Sequence, residues 1–171
     1  TGTVYRIEAR NELMISVITE MHASYELFTG YSSNLSAVPQ TYDKDFALNS
    51  NYLSPNKICS YFKQHERSSD APILDVGAGT GLVGECLYKT GNNSLIGIDI
   101  SSEMLEQAKL KGCYSSLMEA DLTKKIPLKS NSIGAVVSAG TFTHGHVGPD
   151  AFDELLRITK PGGVFVLSIN S

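Results

Sequence analysis

The chain of 171 residues is about one domain long and can bury a single sizeable core. With 42% hydrophobic and 19% charged residues it reads as a soluble globular protein and not as a disordered chain. A net charge of −4 and a pI near 5.5 give no electrostatic ground for nucleic acid or an anionic membrane as partner, and apolar runs such as Val164 to Leu167 are far too short to cross a bilayer.

The first residues, TGTVYRIEARNE, contain no apolar signal core. Residues 11–28 carry Met14, Val17, Ile18, Met21, Tyr25 and Phe28 at helical spacing, which predicts one amphipathic helix. Gly, Ser, Asn and Pro cluster over 29–40 and predict a loop. A second helix opens at Ser54-Pro55, a cap followed by proline at the first helical position, and is expected to run to about Arg67. The chain is therefore expected to divide into an N-terminal helical lid segment over 1–70 and an α/β core over 71–171.

From residue 72 apolar strands and helices alternate. PILDV (72–76) reads as a strand, LVGECLYK (82–89) as a helix, SLIGIDI (94–100) as a strand and SSEMLEQAKLKG (101–112) as a capped helix. CYSSLMEAD (113–121) and IGAVVSAG (133–140) are predicted strands. PDAFDELLRITKPGG (149–163) is a predicted helix with Phe152, Leu155, Leu156 and Thr159 on one face, and VFVLSI (164–169) is the fifth strand. Such alternation predicts a doubly wound parallel α/β sheet of order 3-2-1-4-5. The cysteines Cys59, Cys86 and Cys113 are widely spaced and form no Cys-x-x-Cys pair. That argues against zinc or a disulfide framework and points to a reducing, cytoplasmic setting.

The stretch ILDVGAGTGLVGE (73–85) places four glycines in eight residues, directly after a strand that carries Asp75. Ligands of a doubly wound sheet bind beyond the carboxyl ends of its strands, where the winding reverses. Gly77, Ala78, Gly79 and Gly81 fall at that edge, and the amides opening the next helix at Leu82 face the same place. Gly84 reads as letting the helix sit close to the sheet. The bland alternative is a tight strand–helix turn with no ligand.

The segment GTGLVG (79–84) also satisfies the dinucleotide fingerprint. Against that, Asp75 repels a pyrophosphate and suits a cationic amino group, and the first glycine after the strand sets a G-x-G-x-G frame. Asp99 ends the second strand and can accept both hydroxyls of a ribose, or it caps the helix near Ser101. Asp121, at the end of the third strand, can accept from an adenine amino group beside the Leu122 amide, or it is a solvated loop acid. Three strands each delivering an acid to one rim describe a nucleoside with a cationic tail.

In order, ILDVGAGTG, LIGIDISSEMLEQAK, MEADLTKKIPLKSNSIGAVVSAG and ELLRITKPGGVFVLSI resemble successive motifs of the class I S-adenosylmethionine-dependent methyltransferases, over about residues 40–171. More narrowly, TYDKDFALNSNYLSP, GTGLVGE and GTFTHGHV resemble the methyltransferase-like proteins named for the Williams–Beuren syndrome region. The resemblance implies S-adenosyl-L-methionine as cofactor. It implies that Asp75 and the amides of Gly77 and Gly79 hold the methionine end, within the loop of Ala78, Gly81 and Leu82. Asp99 would take the ribose, Ile100 and Met104 the adenine faces, and Asp121 and Leu122 the adenine edge. Ser138 and Ala139 would line the sulfonium side. Tyr42 would bond the methionine carboxylate, or is a core aromatic.

Methyl transfer from a sulfonium asks the protein for alignment, desolvation and, where needed, removal of a proton. His144, in the THGHVGP loop after the fourth strand, is the candidate general base, with His146 second; the alternative is a solvent-exposed loop histidine. Two histidines two residues apart are no metal site, and none is expected. Phe142 walls the acceptor pocket or belongs to the core. His22 and His65 fall on predicted helices.

The acceptor, a small molecule or a protein, is not readable, nor is the atom methylated. The rivals are a non-catalytic module for the cofactor or its demethylated product, and a nicotinamide-dependent oxidoreductase. In the family the sheet continues past the fifth strand, whereas this sequence stops at Ser171. The fifth strand is expected to present an apolar edge, and either the sequence is truncated or the N-terminal helix, a partner or a second copy covers it.

Overall fold

The computed structural model describes residues 5–6, 17–18, 54–142 and 151–169. In chain order these form β1 (Tyr5–Arg6), β2 (Val17–Ile18), α1 (Ser54–His65), β3 (Ile73–Val76), α2 (Leu82–Lys89) and β4 (Leu95–Asp99). They continue with α3 (Ser102–Leu110), β5 (Ser116–Glu119), β6 (Ile133–Phe142), α4 (Ala151–Ile158) and β7 (Thr159–Ile169).

β5, β4, β3, β6 and β7 lie side by side in that order and are all parallel, the 3-2-1-4-5 winding expected from the alternating pattern. Central β3 is buried on both faces, which is why Ile73 to Val76 shows no polar alternation beyond Asp75. Ile73 faces a layer built from Ile58, Cys59 and Phe62 of α1 and Val83 and Leu87 of α2. Leu74 and Val76 face the opposite layer, with Leu155 and Ile158 of α4 and Phe165 and Leu167 of β7. Each such side chain contributes about 1.5–3 kcal/mol on burial. Helix α1, though within the 1–70 segment, is thus a layer of the core.

Four expectations change. The helix over 11–28 fails at Val17–Ile18, which pair in parallel with Leu167 and Ser168 of β7; the remainder of that stretch lies outside the described residues. β1 pairs antiparallel with the same strand at Val164 and Phe165. The outer edge of β7 therefore carries two short strands from the N-terminal segment, one of the covers expected for it, present as strands and not as a helix. The physical reason is shared: β-branched Val17 and Ile18 suit a strand, and unpaired backbone on β7 supplies partners that a lone helix cannot use.

The fifth strand also begins earlier than expected. α4 stops at Ile158, and Thr159 opens β7 while its Oγ1 donates to the Leu155 carbonyl at 2.7 Å. Pro161 cannot continue a helical ladder, and Gly162 at φ 79° turns the backbone. β6 runs past Gly140 to Phe142, bending where Gly140 (φ 82°) donates its amide to Ser168 Oγ at 2.8 Å. Finally, β5 is confined to Ser116–Glu119, which leaves Tyr114 and Asp121 in the flanking loops.

Candidate functional site

Strand register sets the rim. Val76 pairs with Ile98, and Asp99 pairs with Glu119, so β3, β4 and β5 end at one level. The chain leaves β3 through Gly77 (φ 65°), Gly79 (φ 54°) and Gly81 (φ 87°), three left-handed positions that a side chain would strain. Ala78 donates its amide to the Ile98 carbonyl at 2.9 Å, and Gly81 donates back to Ala78 at 2.8 Å. These bonds curl the loop over β4. A Cβ on Gly79 would meet nothing within 4 Å, so bare backbone there faces open space. A Cβ on Gly77 would fall 1.9 Å from Thr141 Oγ1, so that glycine is required by packing as well.

Asp99 ties this loop to the next. Its Oδ2 accepts the Gly79 amide at 2.8 Å and its Oδ1 accepts the Ser101 amide at 2.9 Å. The capping alternative therefore holds in part, with Ser101 Oγ also accepting the Met104 amide at 3.2 Å. Each carboxylate oxygen keeps a second lone pair for an incoming hydroxyl. Beside it Ile100 is 68% exposed, an apolar side chain presented to solvent at the rim, whereas Met104 is buried.

Asp121 lies two residues beyond β5 and is engaged locally. Its Oδ1 accepts the Thr123 hydroxyl at 2.6 Å and the Thr123 amide at 2.9 Å, and its Oδ2 pairs with Lys124 at 3.1 Å. The Thr123 side chain first, then its amide and Lys124, hold the carboxyl down at about 2. Leu122 packs against the core beneath it.

Asp75 is buried, 1% exposed. Tyr114 donates its hydroxyl to Asp75 Oδ2 at 2.6 Å, while Oδ1 has no hydrogen-bond partner. Burial pushes this carboxyl up to about 7, against the pull of the Tyr114 hydroxyl and the Gly84 amide, and the Asp99 charge raises it further. The fixed negative charge expected ahead of the glycine loop is therefore only partial near neutral pH. Gly84 also serves a purpose different from the expected close helix–sheet contact. A Cβ there would lie 2.2 Å from the Tyr114 ring, and Cβ atoms on Gly81 and on Gly97 would each lie 3.0 Å from it. Three glycines form the slot that admits the tyrosine to Asp75.

On the β6 side, Ser138 is fully buried and donates its hydroxyl to the Val76 carbonyl at 2.7 Å; Thr141 donates to the same carbonyl at 3.0 Å. Both brace the start of the glycine loop, so the Ser138 hydroxyl is spent on backbone. Ala139 is half-buried. Phe142 is a core residue, 4% exposed with its ring 5.1 Å from that of Phe152. Tyr42, His22, His144 and His146 lie outside the described residues, and His65 is exposed at the end of α1. Among the described residues no group of three or more His, Cys, Asp or Glu is placed to hold a metal ion, and no helix is long and apolar enough to cross a membrane.

Two residues escaped sequence reasoning. Tyr114 could have been sought from Gly97, a glycine inside an otherwise apolar strand, which signals close approach by another group. Thr141 had no such signal. Together the rim offers an orphaned buried carboxylate oxygen at Asp75, open backbone at Gly79, an acid at Asp99 and an exposed apolar side chain at Ile100. That set fits a ligand with an ammonium group, vicinal hydroxyls and a flat apolar ring.

Comparison with known proteins points the same way. Residues 74–167 match the family described as "Methyltransferase domain". The chain is 40% identical over 99 residues to human methyltransferase-like protein 27, covering 57% of this chain and 40% of that protein. It is 31% identical over 100 residues to the malonyl-[acyl-carrier protein] O-methyltransferase of Pectobacterium atrosepticum, covering 58% of this chain and 39% of that protein. The chain thus spans about two fifths of the length of these relatives. Among solved structures, a SAM-dependent methyltransferase from Aquifex aeolicus superposes with a TM-score of 0.58 at 25% identity, covering 76% of this chain and 71% of that one.

Proposed function

The chain belongs to the methyltransferase-domain family, and from that premise we propose that it binds S-adenosyl-L-methionine along the β3–β4–β5 rim and transfers its methyl group to a small-molecule or protein acceptor. The observation that carries this reading is the Asp99 carboxylate, held by the Gly79 and Ser101 amides beside open glycine backbone and exposed Ile100.

When bound, the cofactor supplies a methyl group activated by a sulfonium, ready for in-line displacement. The chain's own residues bind and orient. Asp75 Oδ1 receives the ammonium of the methionine end, a cation that offsets the cost of burying its charge. The Gly77 amide cradles the same end, with Ala78, Gly81 and Leu82 shaping the loop and the open backbone of Gly79, its amide held by Asp99, letting the ligand approach. Asp99 accepts the two ribose hydroxyls with its remaining lone pairs. Ile100 covers the adenine, with Met104 packed behind it, and Asp121 with the Leu122 amide reads the ring edge. Ser138 and Ala139 close the sulfonium side, and Tyr42 meets the methionine carboxylate. His144, backed by His146, takes the proton released by the acceptor. The free thiols of Cys59, Cys86 and Cys113 fit a cytoplasmic setting.

Isothermal titration of the protein with S-adenosylmethionine, S-adenosylhomocysteine and NADH tests the reading. Saturable binding of the two adenosyl ligands and none of NADH is expected. Selective binding of NADH refutes it. Binding without cofactor consumption in the presence of any acceptor favours a non-catalytic module.

A further inference from the structure

We propose that Tyr114 is a positioning residue for the cofactor, acting through Asp75: its hydroxyl holds the Asp75 carboxylate so that Oδ1 is left to receive the ligand's ammonium group. The inference rests on the reading of Asp75 given above and adds a residue to it.

The geometry is that of a built contact. Tyr114 lies before β5 and Asp75 is on β3, two strands away, yet the hydroxyl reaches Oδ2 at 2.6 Å. The path exists because Gly81, Gly84 and Gly97 leave the ring its space, from the loop, from α2 and from β4. A phenol needs no charged partner when buried, and a carboxylate does. Of the two oxygens, the one facing Tyr114 is satisfied, and its companion is the buried side-chain oxygen among the described residues with no partner. A core that needed only a filled slot is served as well by phenylalanine. The hydroxyl is informative because it stabilises the ionised form of Asp75, which is the form that binds a cation.

Every charged or titratable group facing Asp75 leaves this tyrosine as its chief support. Asp99 opposes ionisation, Cys113 is a buried thiol itself raised by burial, and the Gly84 amide helps from α2. Tyr114 is held well above the usual phenol range, first by burial and then by the Asp75 charge, so it stays a donor throughout the accessible pH range.

The test is the pH profile of S-adenosylhomocysteine affinity, measured by isothermal titration from pH 5.5 to 9 on the wild type and on Tyr114→Phe. Loss of a hydrogen bond to a charged group should move the pH at which binding develops upward by about one to two pH units. Affinity at pH 7 should then fall about five- to fifty-fold, and the gap should narrow toward pH 9. A parallel 13C titration of the Asp75 carboxyl in the ligand-free protein should show the same displacement. A purely structural role for the ring predicts a pH-independent change, and that outcome overturns the proposal. Should Tyr114→Phe not fold, Asp75→Asn carries the test: weakened, pH-flat binding supports the arrangement, and binding as tight as wild type overturns it. Absence of any binding by the wild type removes the functional reading itself, and the proposal with it.

Discussion

Asp75→Asn should make the ligand-free protein more stable at pH 8 while weakening its grip on the cofactor. The wild-type carboxyl is 1% exposed and titrates at about 7, against an ordinary value of 3.8 in an unfolded chain. A folded-state value raised in this way leaves stability intact below pH 3.8 and erodes it as pH climbs toward 7. At 1.36 kcal/mol per pH unit, the burden at pH 8 is on the order of 4 kcal/mol, and about 2–3 kcal/mol of it accrues between pH 5 and pH 8. Asparagine keeps the shape and can still accept from Tyr114, but it strands an amide group at the orphaned position, costing about 1–3 kcal/mol. Urea melts of both proteins at pH 5 and pH 8 give the difference directly. The variant's relative stability should improve by about 2–3 kcal/mol between the two conditions, and S-adenosylhomocysteine affinity at pH 8 should fall. A stability difference that does not move with pH refutes the placement of a strained, ionisable Asp75 beneath the glycine loop.

Asp99→Ala should weaken S-adenosylhomocysteine binding by about 1–3 kcal/mol in a titration, the cost of stranding hydroxyls; unchanged affinity removes the ribose role. Gly84→Ala drives a Cβ into the Tyr114 ring at 2.2 Å and should destabilise by about 1–3 kcal/mol in urea. That loss should shrink when Tyr114 is also truncated to alanine. His144→Ala should slow turnover by about 10²–10⁴-fold with cofactor affinity unaltered, and equal rates return this histidine to the loop surface.

The parallel sheet was legible because most of its strands are short apolar runs, and helices with recognisable starts follow β3, β4 and β6. Ser101 and the Gly77–Gly81 loop mark the switch from strand to helix by residue type alone. Other features depend on contacts between distant segments. Val17 and Ile18 carry a spacing that suits a helix, and only the backbone offered by β7 decides for a strand. Thr159 was read on a helical face because nothing local reveals that α4 stops at Ile158 and that Thr159, its hydroxyl on the Leu155 carbonyl, already belongs to β7. In the site, Asp99 was legible from its position at a strand end. The burial of Asp75 was not, because it requires Tyr114 to arrive across β4 through a slot of three glycines. Gly84 was legible as a glycine that needed a reason, while the reason, Tyr114, lay thirty residues further on.

A backbone-amide NMR titration with S-adenosylhomocysteine probes the central claim, that one rim of the sheet receives an adenosyl ligand. The signals of Gly77, Gly79, Asp99, Ile100 and Ser101 should shift together and saturate at one ligand per chain. Saturation accompanied by shifts confined to residues away from the ends of β3 and β4 contradicts it.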